Sequence, residues 1–143
     1  MPLNIFKKLQ TTATNRFNGN SDFLEAICAG SALMAMADGD ASDQEITLAA
    51  KSLKANKEIS TAFSTNEIDK CMNKMLDIAE GGGRMAKARL LKQIGDVANK
   101  DDMAEAVLYA VLDVADHGGI DDSEMAVAQK IADTLGLDLK KFL

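Results

Sequence analysis

The chain has 143 residues, 47% of them hydrophobic, which makes one domain of ordinary size able to bury a core without disulfide or metal staples. Only 4% of residues are aromatic, Trp is absent and the net charge is −6, so a base-stacking, phosphate-binding surface has little to build on and no nucleic acid partner is expected. A single Pro and abundant Ala, Leu, Met, Lys and Glu indicate an all-α fold, a single compact helical domain of about seven helices.

Residues 1–20 carry Lys7, Lys8 and Arg16 and no acid, and Ile5, Leu9, Ala13 and Phe17 recur at four-residue spacing after Pro2. This basic amphipathic segment, 1–20, precedes an acidic helical domain, 21–143. Three basic side chains and a short apolar face allow residues 1–18 weak contact with an anionic membrane or docking onto the protein's own core. Asn18, Gly19 and Asn20 break the pattern. Asp22 with Glu25 then has capping-box spacing and opens a helix whose inner stripe is Phe23, Ile27, Gly30, Met34 and Ala37. That helix stops at Asp38-Gly39, and Ser42 with Glu45 opens the next, through Ile46, Ala49 and Leu53 to Asn56.

A turn is expected around Ile59 and Phe63. Ser64 with Glu67 caps a helix through Ile68, Met72, Met75, Leu76 and Ala79 to Gly81. Three consecutive glycines follow and read as a hinge between halves; no Lys-Ser/Thr follows and no strand precedes, so they are not a phosphate loop. Arg84 to Ala98 is helical with Ala88, Leu91, Ile94 and Val97 inward, and Asn99 stops it. Asp102 with Glu105 opens the helix through Met103, Val107, Ala110, Val111 and Val114 to Asp116. Asp121 with Glu124 opens the last long one, through Met125, Ala128, Ile131 and Leu135, with Gly136 as its C′ residue. Asp138 caps a terminal turn ending at Phe142 and Leu143. Seven helices and a short eighth turn are expected.

Sliding the sequence by 79 positions, the separation of Glu45 and Glu124, lays HGGIDDSE, His117 to Glu124, over DGDASDQE, Asp38 to Glu45. Gly39 falls on Gly118, Asp43 on Asp122, Leu33 on Leu112 and Ala49 on Ala128. The repeat is a helix, an acidic loop and a helix, arranged as an internal pseudo-two-fold.

Two readings of these loops stand side by side. Ser42, Glu45, Asp121 and Glu124 are first of all capping residues. Asp38, Asp40 and Asp43 are not explained by capping, because like charges in one short loop repel unless a cation offsets them, and oxygen ligands at alternate positions suit Ca²⁺ or Mg²⁺. The start imitates an EF-hand, yet the sixth position is Asp43 where Gly is required and the twelfth is Ala49 where a bidentate Glu belongs. In the second loop Asp116 adjoins His117, the sole His, which serves either as a transition-metal ligand or as a solvated or capping residue. The candidate metal residues are therefore Asp38, Asp40, Asp43, Glu45, Asp116, His117, Asp121, Asp122 and Glu124, for a divalent ion, Ca or Mg ahead of Zn. With one His and no Ser or Cys beside a base, no catalytic constellation can be composed, and an enzyme is not expected. The Met residues fall mainly at core spacing and read as packing. Cys28 and Cys71 lie in helical runs without a CxxC and read as buried thiols of a reducing compartment. No apolar run approaches ~18 residues and no secretory signal opens the chain, so a cytoplasmic location is expected.

A helix ending in Ala-Asp-Gly, a loop completed by Asp-x-Glu, the same unit near the C-terminus and a close in Leu-Gly-Leu-Asp with a final Phe resemble the TerB-like family of tellurite-resistance proteins. The resemblance covers roughly residues 22–143. It implies two pseudo-symmetric helical halves and a cytoplasmic stress-response protein, acting with other Ter proteins and with the membrane-embedded TerC, hence peripheral to the inner membrane. It also implies that Asp38, Asp40, Glu45, Asp121, Asp122 and Glu124 form a divalent-metal surface. His117 and Gly119 depart from the family's Asp-Gly-Asp at the second loop. A metal-responsive, non-enzymatic adaptor is the expected function. The alternative is a helical protein-interaction module whose acidic loops are only caps.

Overall fold

The computed structural model describes residues 20–37, 43–98, 100–116 and 120–143, with the side chains of Asp43, Ile46 and Asp101 outside the description. Among the described residues the secondary structure is entirely helical: α1 Ser21–Ala35, α2 Asp43–Ala55, α3 Lys57–Ala62, α4 Thr65–Glu80, α5 Gly83–Gly95, α6 Asp101–Ala115 and α7 Asp122–Leu135, closed by a 3₁₀ turn at Leu139–Phe142. The amphipathic segment expected within residues 1–19 lies outside the described residues.

α1 is the axis of the domain. Every residue from Ala26 to Ala35 is buried, because α4, α5 and α6 pack around it and α2 and α7 complete the shell. Small residues make this possible. Ala26, Ala29, Gly30 and Ala32 allow neighbouring backbones to approach, while Phe23, Ile27 and Leu33 fill the spaces between them. Burying a side chain such as Ile27 contributes about 1.5–3 kcal/mol. Among the described residues the one buried polar residue, Ser31, satisfies itself by donating its hydroxyl to the Ile27 carbonyl at 2.8 Å, one helical turn back.

Capping sets the helix boundaries, and two expectations need correction. α1 is capped by Asn20, whose Oδ1 accepts the Phe23 amide at 3.1 Å, so Asp22 is already inside the first turn and forms no box with Glu25. Glu25 instead meets Lys74 of α4. Asn20 also reaches across to the Met103 sulfur of α6 at 3.5 Å. α6 starts at Asp101 with Lys100 in the cap position and no side-chain cap bond, so Asp102 and Glu105 do not form the expected box. The boxes at Ser64–Glu67 and Asp121–Glu124 are present as expected.

The expected turn around Ile59 is a helix. Asn56 Oδ1 takes the amides of Glu58 and Ile59, so the residue that ends α2 also caps α3, and Ile59, Ala62 and Phe63 are carried into the core. In α5 the inner face is Ala86, Leu90 and Ile94, followed by Val97 in the turn; Ala88 is exposed and Leu91 half-buried. The inner residues expected for α4, and for α6 from Met103 to Val114, are all buried.

The triple glycine joins α4 to α5 with no intervening loop: Gly81 ends one helix and Gly82, at φ +70, starts the other. A side chain would be strained at that φ. Because α4 and α5 pack against each other and both against α1, these glycines turn the chain within one body and do not separate halves. Gly136 closes α7 in the left-handed conformation, and Leu137 donates back to the Ala132 carbonyl. Asp138 then caps the terminal 3₁₀ turn, which brings Phe142 against Tyr109 with ring centroids 4.8 Å apart.

Candidate functional site, a carboxylate-lined pocket between two helix pairs

A pocket of about 210 Å³ opens where four helix ends converge. Met34, Ala35 and Ala37 come from the end of α1, and Val114 and Ala115 from the end of α6; Glu45, Leu48 and Ala49 come from the start of α2, and Asp121 and Glu124 from the start of α7. Its walls are apolar and three carboxylates line it. The contributing residues are far apart in sequence, yet Glu45 and Glu124 fall on each other under the 79-residue shift.

The helix ends set the local electrostatics. The C-terminal ends of α1 and α6 present carbonyls and partial negative charge, which favours a cation nearby, while the N-terminal ends of α2 and α7 favour carboxylates. At α7 this is realised in full. Asp121 Oδ1 accepts the Glu124 amide at 2.8 Å and the Ser123 hydroxyl at 2.7 Å, and Glu124 Oε1 accepts the Asp121 amide at 3.1 Å. The Glu124 amide, followed by the Ser123 hydroxyl, holds the Asp121 carboxyl below its ordinary range. Both contacts use one oxygen of each carboxylate, so Asp121 Oδ2 and Glu124 Oε2 take no part in the box.

The candidate metal residues divide by place. Glu45, Asp121 and Glu124 are brought together at the pocket. Asp122 is exposed at the first position of α7, and Asp116 is exposed at the C-cap of α6; neither lines the pocket. Asp38, Asp40, His117 and the side chain of Asp43 lie outside the described residues. Among the described residues no three His, Cys, Asp or Glu side chains are grouped so as to hold a metal ion. The three pocket carboxylates are therefore not a ligand set by themselves. Their chemistry, carboxylate oxygen throughout, fits a hard cation such as Ca²⁺ or Mg²⁺.

Two features had no sequence signal. The apolar walls of the pocket come from Met34, Leu48 and Val114, which read as ordinary helix-face residues. Cys28 and Cys71, 0% exposed and half-buried respectively, meet across the α1–α4 interface. No spacing rule could have paired them.

Architecture and site together define a small all-helical module in which two helix–acidic loop–helix segments bring carboxylates to one pocket, with no group of three metal-holding side chains among the described residues. The family described as tellurite resistance protein TerB matches residues 24–143, and the chain belongs to that family. Membership supports a role related to tellurite resistance. No curated protein and no solved structure matches the chain. Among the described residues no helix is long and apolar enough to cross a membrane.

Proposed function

We propose that the protein is a non-enzymatic adaptor of the tellurite-stress response that binds a divalent cation, Ca²⁺ or Mg²⁺, through the carboxylates of its two acidic segments. The observation that carries this reading is the convergence of Glu45, Asp121 and Glu124 on one pocket also lined by the last residues of α1 and α6, helix ends that favour a cation. In it, Asp121 Oδ2, Glu124 Oε2 and the Glu45 carboxylate supply part of the coordination. Asp38, Asp40 and Asp43 of the first loop supply most of the rest, and the second loop, with Asp116, His117 and Asp122, contributes less. The two helix–loop–helix units are then pseudo-symmetric halves of one site. A cation bound there ties the loops to each other and presents a fixed surface to a partner. The partners in this reading are other Ter proteins and the membrane-embedded TerC, met from the cytoplasmic side, with residues 1–18 adding weak contact to anionic lipid.

Calorimetric titration of the full chain with Ca²⁺, Mg²⁺ and Zn²⁺ tests the proposal. A saturable Ca²⁺ or Mg²⁺ signal that Asp38→Asn with Asp40→Asn removes supports it, and heats of dilution alone for all three ions reject it. The second reading, an interaction module whose loops are only caps, is favoured by one observation: the Asp121–Glu124 box is complete without a cation.

A further inference from the structure

Cys28 of α1 and Cys71 of α4 lie on two helices that pack extensively against each other. Glu25 Oε2 and Lys74 Nζ lie 3.7 Å apart at the same interface. The two pairs obey one antiparallel register, three residues forward on α1 matching three residues back on α4, so the thiols lie one helical turn from the ion pair. That register puts the Cys28 and Cys71 sulfurs at one level of the interface, close enough to interact. Cys28 is enclosed, whereas Cys71 is partly open to solvent.

We propose that Cys28 and Cys71 are a reversible dithiol–disulfide pair oxidised by a peroxide, with Cys71 as the sulfur that attacks and Cys28 as the one that resolves. The Cys71 thiolate attacks one peroxide oxygen, the O–O bond breaks, hydroxide leaves and takes up a proton, and Cys71 becomes a sulfenic acid. The Cys28 sulfur then attacks Cys71 Sγ, the S–O bond breaks and water leaves. Two thiols lose two electrons and two protons, and one peroxide becomes two waters. Two molecules of an external thiol reverse the step, becoming a disulfide themselves.

The order of attack follows from the environment of each sulfur. The hydrogen bond from Cys28 lowers the Cys71 pKa below the usual thiol value, with the Lys74 ammonium adding to it, against burial and the nearby Glu25. That same bond, then burial, holds Cys28 well above the usual value. A low-pKa, accessible thiol beside a protonated partner is the arrangement of redox-sensing cysteines. Exposure, too, selects Cys71 for first contact with a small oxidant.

The test uses the full chain, reduced and freed of reductant, then treated with one equivalent of hydrogen peroxide. Free thiols counted in denaturant should fall from two per chain to none. Tryptic digestion without reductant should yield residues 17–51 joined to residues 71–74, lighter than their sum by two hydrogens, and dithiothreitol should restore both thiols. With one equivalent Cys28→Ala should stop at a Cys71 sulfenic acid that dimedone traps and a second equivalent carries on to sulfinic acid, and Cys71→Ser should leave Cys28 reduced under the same exposure. Two thiols still titrating after peroxide, or sulfinic acid at Cys71 in the unaltered chain, would overturn the proposal. So would a disulfide found only between chains.

Discussion

Gly30 of α1 lies against Val111 of α6 so closely that a β-carbon on Gly30 would stand 2.5 Å from Val111 Cγ2. Val111 is fully buried and β-branched, so it has no flexible end to move aside. Gly30→Ala gains about 1 kcal/mol of helix propensity and meets an overpacking cost of about 1–3 kcal/mol. The expected outcome is a net loss of about 1 kcal/mol, read by denaturant unfolding. Adding Val111→Ala to that variant should be less damaging than the two separate losses predict, because the second change makes room for the first. Simple additivity would mean the contact is not the cause.

Divalent cation should stabilise the fold, mainly through the first loop. With an affinity near ~10 μM, about 1 mM cation adds about 2.7 kcal/mol. For a chain of this size that raises the melting temperature by roughly 5–11 °C. Asp38→Asn with Asp40→Asn should abolish the rise and itself raise the melting temperature in chelator, since the repulsion between the two charges is gone. His117→Ala should leave a Ca²⁺ response intact. The measurement is a melting scan with chelator, Ca²⁺, Mg²⁺ and Zn²⁺ in turn, and an unmoved midpoint in all four rejects the cation site.

Glu45→Gln and Glu124→Gln should differ in kind. Gln at 124 keeps the oxygen that accepts the Asp121 amide, so the box persists and either change costs under ~1 kcal/mol in chelator. With cation present, Glu45→Gln should lose the larger part of the added stability. Equal losses with and without cation would identify both residues as caps alone.

Acid should separate the charge of the Asp121 cap from its shape. Its carboxyl is held below the ordinary range by the Glu124 amide and the Ser123 hydroxyl. A depressed folded value gives stability that is fully present above the unfolded value of about 3.9 and is lost as pH falls through the folded one. Asp121→Asn retains a capping oxygen but does not titrate. The melting temperatures of the two proteins should therefore differ at neutral pH and converge below about pH 3.9. A gap that stays constant down to pH 2.5 would show that ionisation of Asp121 does not contribute.

The basic segment gives a prediction about lipid. Lys7, Lys8 and Arg16, at about 1 kcal/mol each near an anionic surface, support weak and salt-sensitive association. The full chain should sediment partly with phosphatidylserine vesicles at low salt, and a chain lacking residues 1–18 should not. Equal sedimentation of both removes the segment from any membrane role.

Much of the fold was legible because its signals are local. Ser64–Glu67 and Asp121–Glu124 announced helix starts through four-residue patterns whose geometry holds wherever the helix begins there, and the inner stripes of α4 and α6 follow from period alone. The same pattern misled at Asp22–Glu25 and Asp102–Glu105, where the helix begins earlier and its second acid points elsewhere, to Lys74 in the first case. Helix α3 is too short to display a period, and its cap, Asn56, also reads as a terminator. In α5 the alanines define no clear face, so the choice between Ala86 and Ala88 was made by packing against α1. The pocket was half legible. Internal repetition marked Glu45 and Glu124, but only the folded chain places both beside Asp121 at the ends of α1 and α6.

Because α1 is enclosed by helices that come later in the sequence, the nascent chain emerges with its most apolar segment first and nothing yet made to cover it. α4 and α5 reach it after roughly half the chain has been synthesised, and α6 only near the end. Ala26–Ala35 thus stays uncovered until α4 and α5 have been made. No N-terminal fragment ending before Ala115 has a complete core, so folding as a unit waits for α6. Truncation before Ala115 therefore leaves an open α1 to chaperones and proteases.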